Sequence, residues 1–252
     1  MSAPASSVEE VLAELDRIIE TSRKKSSRLG YFPAMYRQVT AEVERRAETT
    51  TFFDDDEKMR RLVVIFANHY LAAYRDFQAG RPIPQAWQVA FDAADRYWPI
   101  VLQHLLLGMN AHINLDLAIA VVETAGDALE DMRHDYMRIN DVLAENIDHI
   151  QVQLARIWPM LKLLDRIAGR SEEAVMNFSL SKARDCAWQE AVELAPLRGE
   201  QRTAHIDALG QRVALLGRAI LHPGITTSAL NKAIRLGEKQ DVSKVIDLLS
   251  RK

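Results

Sequence analysis

A histidine and an aspartate one helical turn apart have the clearest chemical potential in this sequence. His112 and Asp116 lie within residues 108–117, inside the most apolar stretch of the chain. Side chains four residues apart on a helix are neighbours, and buried polar groups are costly unless they find partners. The pair could bind a divalent metal ion, act as a general base with an orienting carboxylate, or satisfy each other within a packed core.

A metal ion at this pair would need further ligands from other helices, because zinc takes three or four. The sequence offers His69 and Asp135 as candidates. His104 lies too far along the helix from Asp116 to share a metal ion with it, so we expect it to line the same cleft instead. Gly108 leaves room for a close helix crossing or for a ligand.

A second face of the same helix carries amides. Gln103, Asn110 and Asn114 fall on one side when successive residues are placed about 100° apart. Buried amides usually bridge to backbone groups or caps of neighbouring helices. This favours a packing role, and it leaves Asn110 and Asn114 as candidates for contact with a ligand.

An arginine and a tryptophan provide a second candidate pair. Arg184 and Trp188 are one turn apart, so the guanidinium can stack on the indole ring. Arg184 could also pair with a buried carboxylate, which is the favoured interpretation, or hold an anionic group of a substrate. Tyr70 and Trp188 are candidates for the aromatic wall of a ligand cavity. Cys186 is interpreted as an inert core thiol.

Three consecutive aspartates at 54–56 have two interpretations. They could bind metal, as in aspartate-rich prenyl-diphosphate sites, but no second motif of this kind stands at a matching place. Carboxylates also cap the free N–H groups at the start of a helix and favour its dipole. We therefore expect a helix to begin here.

Helical periodicity dominates the whole chain. It predicts an all-α fold, a single-domain bundle of about eight to ten helices around a buried central helix at about 99–123. Residues 1–7 are expected to be disordered, 8–222 to form the helical domain, and 223–252 to form a C-terminal helical pair packed on the same domain. Later helices are expected from about Asp127 to a break at Pro159, and at 172–195, 200–221, 226–236 and 241–250.

The bulk composition is that of an ordinary soluble globular protein. The 252 residues are 48% hydrophobic and 27% charged, with a net charge of -3. Without a basic excess, no nucleic-acid or anionic-membrane partner is expected. The apolar run at 99–122 is long enough to span a membrane, but its six polar side chains favour a buried helix. A single cysteine and no secretory signal indicate the cytoplasm. A homodimer is possible.

These motifs resemble a bacterial family catalogued as domain of unknown function 5995, over most of the chain from about Gly30 to Leu194. Where this chain has His69, the family often has arginine, which weakens the case for His69 as a ligand. The resemblance implies no reaction. It rests on Phe66-Ala67-Asn68, Tyr70-Leu71, Ala73, Leu105 through Leu117 and Ala183 through Trp188, and it implies signature positions at Asn110, His112, Asn114, Asp116, Arg184, Asp185 and Trp188.

Three functions remain open. The leading hypothesis is an enzyme, most concretely a metal-assisted hydrolase acting on a small molecule, with His112, Asp116 and Arg184 as its catalytic groups. It predicts that the His112–Asp116 face opens into a pocket. The second is a non-catalytic binder of a small molecule in an aromatic-lined cavity. The third is a scaffold or interaction protein whose polar core is fully satisfied, with no cavity.

Overall fold

All regular structure in the described part of the chain is helical. The computed structural model describes residues 3–49, 52–139 and 180–251. The predicted all-α fold is confirmed there. Residues 133–139 are also helical, up to the edge of the described part. The helices are α1 (Val8–Lys24), α2 (Tyr31–Thr49), α3 (Asp56–Gln78), α4 (Gln85–Asp92), α5 (Val101–Ala111), α6 (Leu117–Ala125), α7 (Leu180–Leu194), α8 (Gly199–Leu221), α9 (Ile225–Gly237) and α10 (Val242–Leu249).

The central helix consists of α5 and α6 joined without a break through a π-helical turn. This turn spans His112–Asp116, where the Leu117 N–H bonds to the His112 carbonyl five residues earlier. The whole helix, Val101–Ala125, is long and apolar enough to cross a membrane by length and composition, and most of it is buried inside the fold. Helices α2, α3, α4, α7 and α8 pack around it. The predicted central helix is thus present, shifted by two residues.

Side-chain caps explain where several helices begin. The Ser7 side chain accepts from the Glu10 N–H at the start of α1, and Asp55 accepts from the Lys58 N–H at the start of α3. The aspartate run therefore begins a helix, as expected. Each cap satisfies a backbone donor that the first helical turn leaves without a partner.

The N-terminal residues pack on the bundle. Asn68 forms two hydrogen bonds with the backbone of Ala5, accepting from its N–H at 2.9 Å and donating to its carbonyl at 2.8 Å. Ala5 is consequently buried. Residues 3–7 thus differ from the expected disorder, because one internal amide satisfies both backbone groups of Ala5.

The C-terminal helices share the main core. Val242, Val245, Ile246 and Leu249 of α10 belong to the same buried cluster as the inner faces of α1 and α2. Glu238, just after α9, accepts from the Val101 N–H at the start of α5 at 3.1 Å. The last two helices therefore pack on the body of the protein. The helix expected beyond 139, its break at Pro159 and the start of the 172–195 helix lie outside the described residues.

Candidate functional site

Two side chains of the π-turn are bonded to each other and to a tryptophan from α4. His112 Nδ1 lies 3.1 Å from Asp116 Oδ2, which also accepts a hydrogen bond from Trp87 Nε1 at 3.0 Å. All three residues are buried. The contact expected from the spacing of His112 and Asp116 is present, with Trp87 as an additional anchor. Asp116 is thereby fixed, and it in turn fixes the orientation of the imidazole.

A partly enclosed cavity lies against His112. Its volume is about 90 Å³, and the walls are almost entirely aliphatic and aromatic. Four polar side chains border it, those of Tyr36, Thr40, His112 and Arg184. The Phe66 ring stacks on the imidazole with centroids 3.5 Å apart, and Tyr36 meets it edge-on at 4.5 Å. The histidine is thus held between aromatic rings at the wall of a largely apolar cavity. The apolar part of the wall includes Met35, Val39, Val43, Leu62, Met109 and Ile113.

Two buried polar atoms beside the cavity lack partners. His112 Nε2 and the Tyr36 hydroxyl have no hydrogen-bond partner within the part of the chain that the structure describes. Thr40, which lies near that hydroxyl, donates its own proton to the Tyr36 carbonyl. An unsatisfied buried donor or acceptor costs about 1–3 kcal/mol. Two such atoms on one cavity point to a missing occupant.

Burial sets the protonation states of the His112 imidazole and the Tyr36 hydroxyl. It lowers the pKa of the His112 imidazole below its ordinary value, and the hydrogen bond and charge of Asp116 oppose this only in part. It raises the pKa of the Tyr36 hydroxyl, against a smaller opposite effect of Thr40. The imidazole is therefore neutral and the phenol protonated at neutral pH, so the cavity holds a base and a hydrogen-bond donor.

Arg184 reaches the cavity from α7, held by the 133–139 segment. Its guanidinium lies 4.2 Å from the centroid of the Tyr136 ring and donates to the Tyr136 carbonyl at 2.6 Å. The Tyr136 hydroxyl donates to the Arg184 carbonyl at 2.7 Å. The Tyr136 ring also packs against Trp188, with ring centroids 4.9 Å apart. The guanidinium thus lies over Tyr136 of the 133–139 segment, where the spacing along α7 favoured Trp188. Cys186 is exposed, so its interpretation as a core thiol is wrong.

His104 and Tyr70 lie beside a different, smaller cavity. It has a volume of about 20 Å³ and also borders Arg28 and Gly108. His104 Nε2 and the Tyr70 hydroxyl are buried there without partners among the described residues. The two histidines of the central helix therefore do not share one cleft, contrary to the expectation from their spacing. The Phe32 ring fills the space beside Gly108 and separates the two cavities.

The amides of the central helix bind α8. Asn110 Nδ2 donates to the Val213 carbonyl at 2.9 Å, and Asn114 Nδ2 donates to Asn110 Oδ1 at 3.0 Å. Gln103 donates to the Ile220 carbonyl at 2.7 Å in the same way. These bonds match the packing role that the sequence favours, and they place Asn110 and Asn114 away from the His112 cavity.

Asp135 organises the loop before α3. Its two carboxylate oxygens accept from the backbone N–H groups of Asp54 and Asp55, at 2.7 and 2.9 Å. Next to it, His134 Nδ1 lies 2.6 Å from Asp54 Oδ2. Asp135 thus holds the backbone of the turn before α3 and does not line the cavity. Its spacing along one helix could not reveal this, because the turn comes from a distant part of the sequence.

A metal ion at His112 and Asp116 does not fit the donor set. Within the described ranges, three groups bring His or carboxylate atoms within 4.8 Å of one another, and none includes His112 or Asp116. The facing nitrogen and oxygen of the pair are already bonded to each other. His69, the other expected ligand, lies 3.0 Å from Glu123 instead. Fewer than the three ligands of a typical zinc site are therefore assembled here.

A surface cleft lies on the other side of Asp116. It has a volume of about 610 Å³ and is bordered by His69, Asp76 and Asp207 as well as Asp116. Burial alone would lower the pKa of His69, but the bond to Glu123 and the charge of Asp116 outweigh it and raise the pKa. Asp116, which orients His112, thus lies between the cavity beside His112 and this surface cleft.

The sequence did not reveal the roles of three residues of the site. Tyr36 was not singled out, Phe66 entered only with the family motif, and Trp87 only as one of the aromatics of a possible ligand cavity. In the structure Tyr36 and Phe66 contact the imidazole, and Trp87 binds Asp116. Each looks like an ordinary aromatic of an amphipathic helix. The one available signal is a polar atom on a side chain destined for the core, which applies to Tyr36 and Trp87.

Comparison with known proteins identifies the family but no activity. No curated protein and no solved structure matches the chain. A family model described as a family of unknown function (DUF5995) matches residues 8–223. The match includes the central helix, the cavity and Arg184. The chain therefore belongs to this family of unknown function.

Proposed function

We propose that the protein is an enzyme that acts on a small, largely apolar molecule bound in the cavity beside His112. The observation that carries the proposal is a buried imidazole at the cavity wall, with Nδ1 held by Asp116 and Nε2 without a described partner. In this role His112 accepts a proton from the substrate and returns it later. Asp116 orients the ring and stabilises the imidazolium that forms.

The surroundings of the histidine support this chemistry. A base works best when it is neutral at working pH, and burial keeps the pKa of His112 below its ordinary value. The apolar wall excludes water, which strengthens the interaction with Asp116 when the ring gains a proton. Arg184 borders the same cavity and supplies positive charge near a developing anion. The proposed steps use these side chains and no metal ion.

Proton transfer can be tested with small probe molecules. The exchange of carbon-bound hydrogens of hydroxyacetone in heavy water reports general-base activity, and hydrolysis of methyl glycolate tests the hydrolase form. We expect His112→Gln to abolish any reaction that the wild type accelerates, and Asp116→Asn to slow it by about 100-fold or more.

Tyr74→Phe is the matched control, because it removes a phenol hydroxyl from a half-buried tyrosine that borders neither cavity. It should retain wild-type rates. Equal rates in the wild type and His112→Gln would refute the proposed role of His112.

Non-catalytic binding of a small molecule is the second candidate, favoured by the nearly complete apolar lining of the cavity. Saturable binding of the probes without any turnover would support it. A scaffold protein is the least favoured alternative, because a cavity adjoins the polar pair.

A further inference from the structure

The hydrogen bonds of Asp116 determine which ring nitrogen of His112 carries the proton. An indole N–H can only donate and an aspartate carboxylate can only accept, so Trp87 donates to Asp116 Oδ2. The same oxygen lies 3.1 Å from His112 Nδ1 and must accept there as well. The proton of the neutral imidazole therefore resides on Nδ1. As a result, Nε2 carries a lone pair and can only accept a hydrogen bond.

Tyr36 supplies the complementary group. Its hydroxyl is buried, has no described partner and borders the same cavity, and its ring centroid lies 4.5 Å from that of His112. A phenol can donate a proton, which the neutral His112 Nε2 cannot do. An occupant satisfies both groups when it offers a donor to His112 and an acceptor to Tyr36.

We infer that the cavity selects small neutral alcohols, since a hydroxyl group supplies a donor and an acceptor on one atom. This inference rests on the proposed function and names its substrate class. An ether or a ketone lacks the donor for Nε2. A carboxylate lacks this donor as well, so it would leave His112 Nε2 unpaired.

The volume of the cavity limits the size of the alcohol. At about 90 Å³ it is smaller than an engineered apolar cavity of about 150 Å³ that admits benzene. A short chain of about four carbons with one hydroxyl is therefore a suitable probe. Its hydroxyl proton is the one that His112 Nε2 would accept in the proposed chemistry.

The test compares n-butanol with methyl propyl ether and butyrate, followed by NMR titration of the methyl groups of Ile113 and Val63 at the cavity wall. The ether matches the alcohol in heavy-atom number but has no donor. We expect n-butanol to bind the wild type about tenfold more tightly than the ether, the effect of a hydrogen bond that the ether leaves unmade. Butyrate should bind more weakly than n-butanol.

Two variants separate the two hydrogen bonds. Tyr36→Phe removes the donor shared by both ligands, so alcohol and ether should weaken by a similar factor. In Asp116→Leu, no oxygen at this position accepts from His112 Nδ1, so the imidazole proton can move to Nε2. Nε2 then donates, and the preference for the alcohol over the ether should fall to about onefold. A purely structural role of Asp116 would not change this preference. Tyr74→Phe should behave as the wild type.

Each remaining outcome counts against the inference. Equal binding of alcohol and ether to the wild type overturns it while leaving a cavity that accepts small molecules beside His112. Tighter binding of butyrate would assign the cavity to anions instead. If none of the three probes binds saturably, the proposed function fails together with the inference.

Discussion

At the scale of single residues, the two buried histidines of the central helix differ in the charges around them. His112 has a carboxylate bonded to one ring nitrogen, so a proton on the ring would be stabilised. His104 has no such partner among the described residues, and burial together with the charges of Arg28 and Arg235 lowers its pKa to about 3. His104 therefore stays neutral in the folded protein and is unsuited to proton transfer, although both rings lie on the same helix.

This difference predicts how stability depends on pH. In the unfolded chain His104 binds a proton below its ordinary pKa, whereas the folded chain excludes that proton down to about pH 3. The contribution of neutral His104 is complete above about pH 6.5 and is lost as the pH falls, by about 1.4 kcal/mol per pH unit. His104→Phe should therefore gain about 2 kcal/mol relative to the wild type between about pH 7 and about pH 5.

Urea unfolding at several pH values measures this difference, and any constant cost of the larger ring cancels in the comparison. If the free energies of unfolding of the wild type and His104→Phe change in parallel with pH, folding does not change the pKa of His104 and the prediction is wrong.

At the scale of elements, the π-turn decides the direction of the His112–Asp116 pair. An extra residue in a helical turn rotates the next part of the helix by about 100° relative to a regular α-helix, and such turns are frequent at functional sites. Here the turn is His112–Asp116 itself. One turn earlier, Gly108 allows α2 to approach so closely that the Phe32 ring occupies the place of a side chain. Phe32 in turn borders the cavity.

We expect Gly108→Ala to destabilise the fold. The added Cβ would lie 2.4 Å from Phe32 Cδ2, so the ring must move. Such overpacking costs about 1–3 kcal/mol, which exceeds the gain of about 1 kcal/mol in helix propensity. Gly210→Ala in α8 is the control, because its Cβ meets nothing within 4 Å, and it should be neutral or stabilising. Urea unfolding compares the two variants, and equal stabilisation of both would contradict close packing at Gly108.

At the scale of the whole molecule, one core connects the ends of the chain to the site. Helix α10 packs on α1 and α2, and α2 carries Tyr36 to the cavity. Ile246 is fully buried and lies against Gly30, just before α2. The last two helices therefore support the cavity, although the family model ends at residue 223.

A substitution in the buried face of α10 should consequently lower the stability of the whole fold. We expect Ile246→Ala to lower the free energy of unfolding by about 3 kcal/mol through lost burial and the cavity left behind. Tryptophan fluorescence can follow this unfolding, because all four tryptophans precede residue 189. Leu236→Ala, at a position that is 69% exposed, should change little. An unchanged fluorescence midpoint in Ile246→Ala would mean that the C-terminal pair unfolds independently.

The sequence alone determined the helical class, the buried central helix and the His112–Asp116 contact. Each of these depends on a local repeat: the helical period sets which residues face inward, and a spacing of four residues brings two side chains together. The amides that bind α8 also followed from this pattern, because buried polar groups on a helix face need partners nearby.

Only the tertiary structure decided which helices surround that contact and where the empty space lies. It brought Tyr36, Phe66 and Trp87 to the imidazole, and it placed Asp135 and His104 elsewhere. The physical reason is that a cavity and its unpaired atoms arise from packing between distant segments. Helical periodicity records which face of each helix is apolar but not which other face it meets.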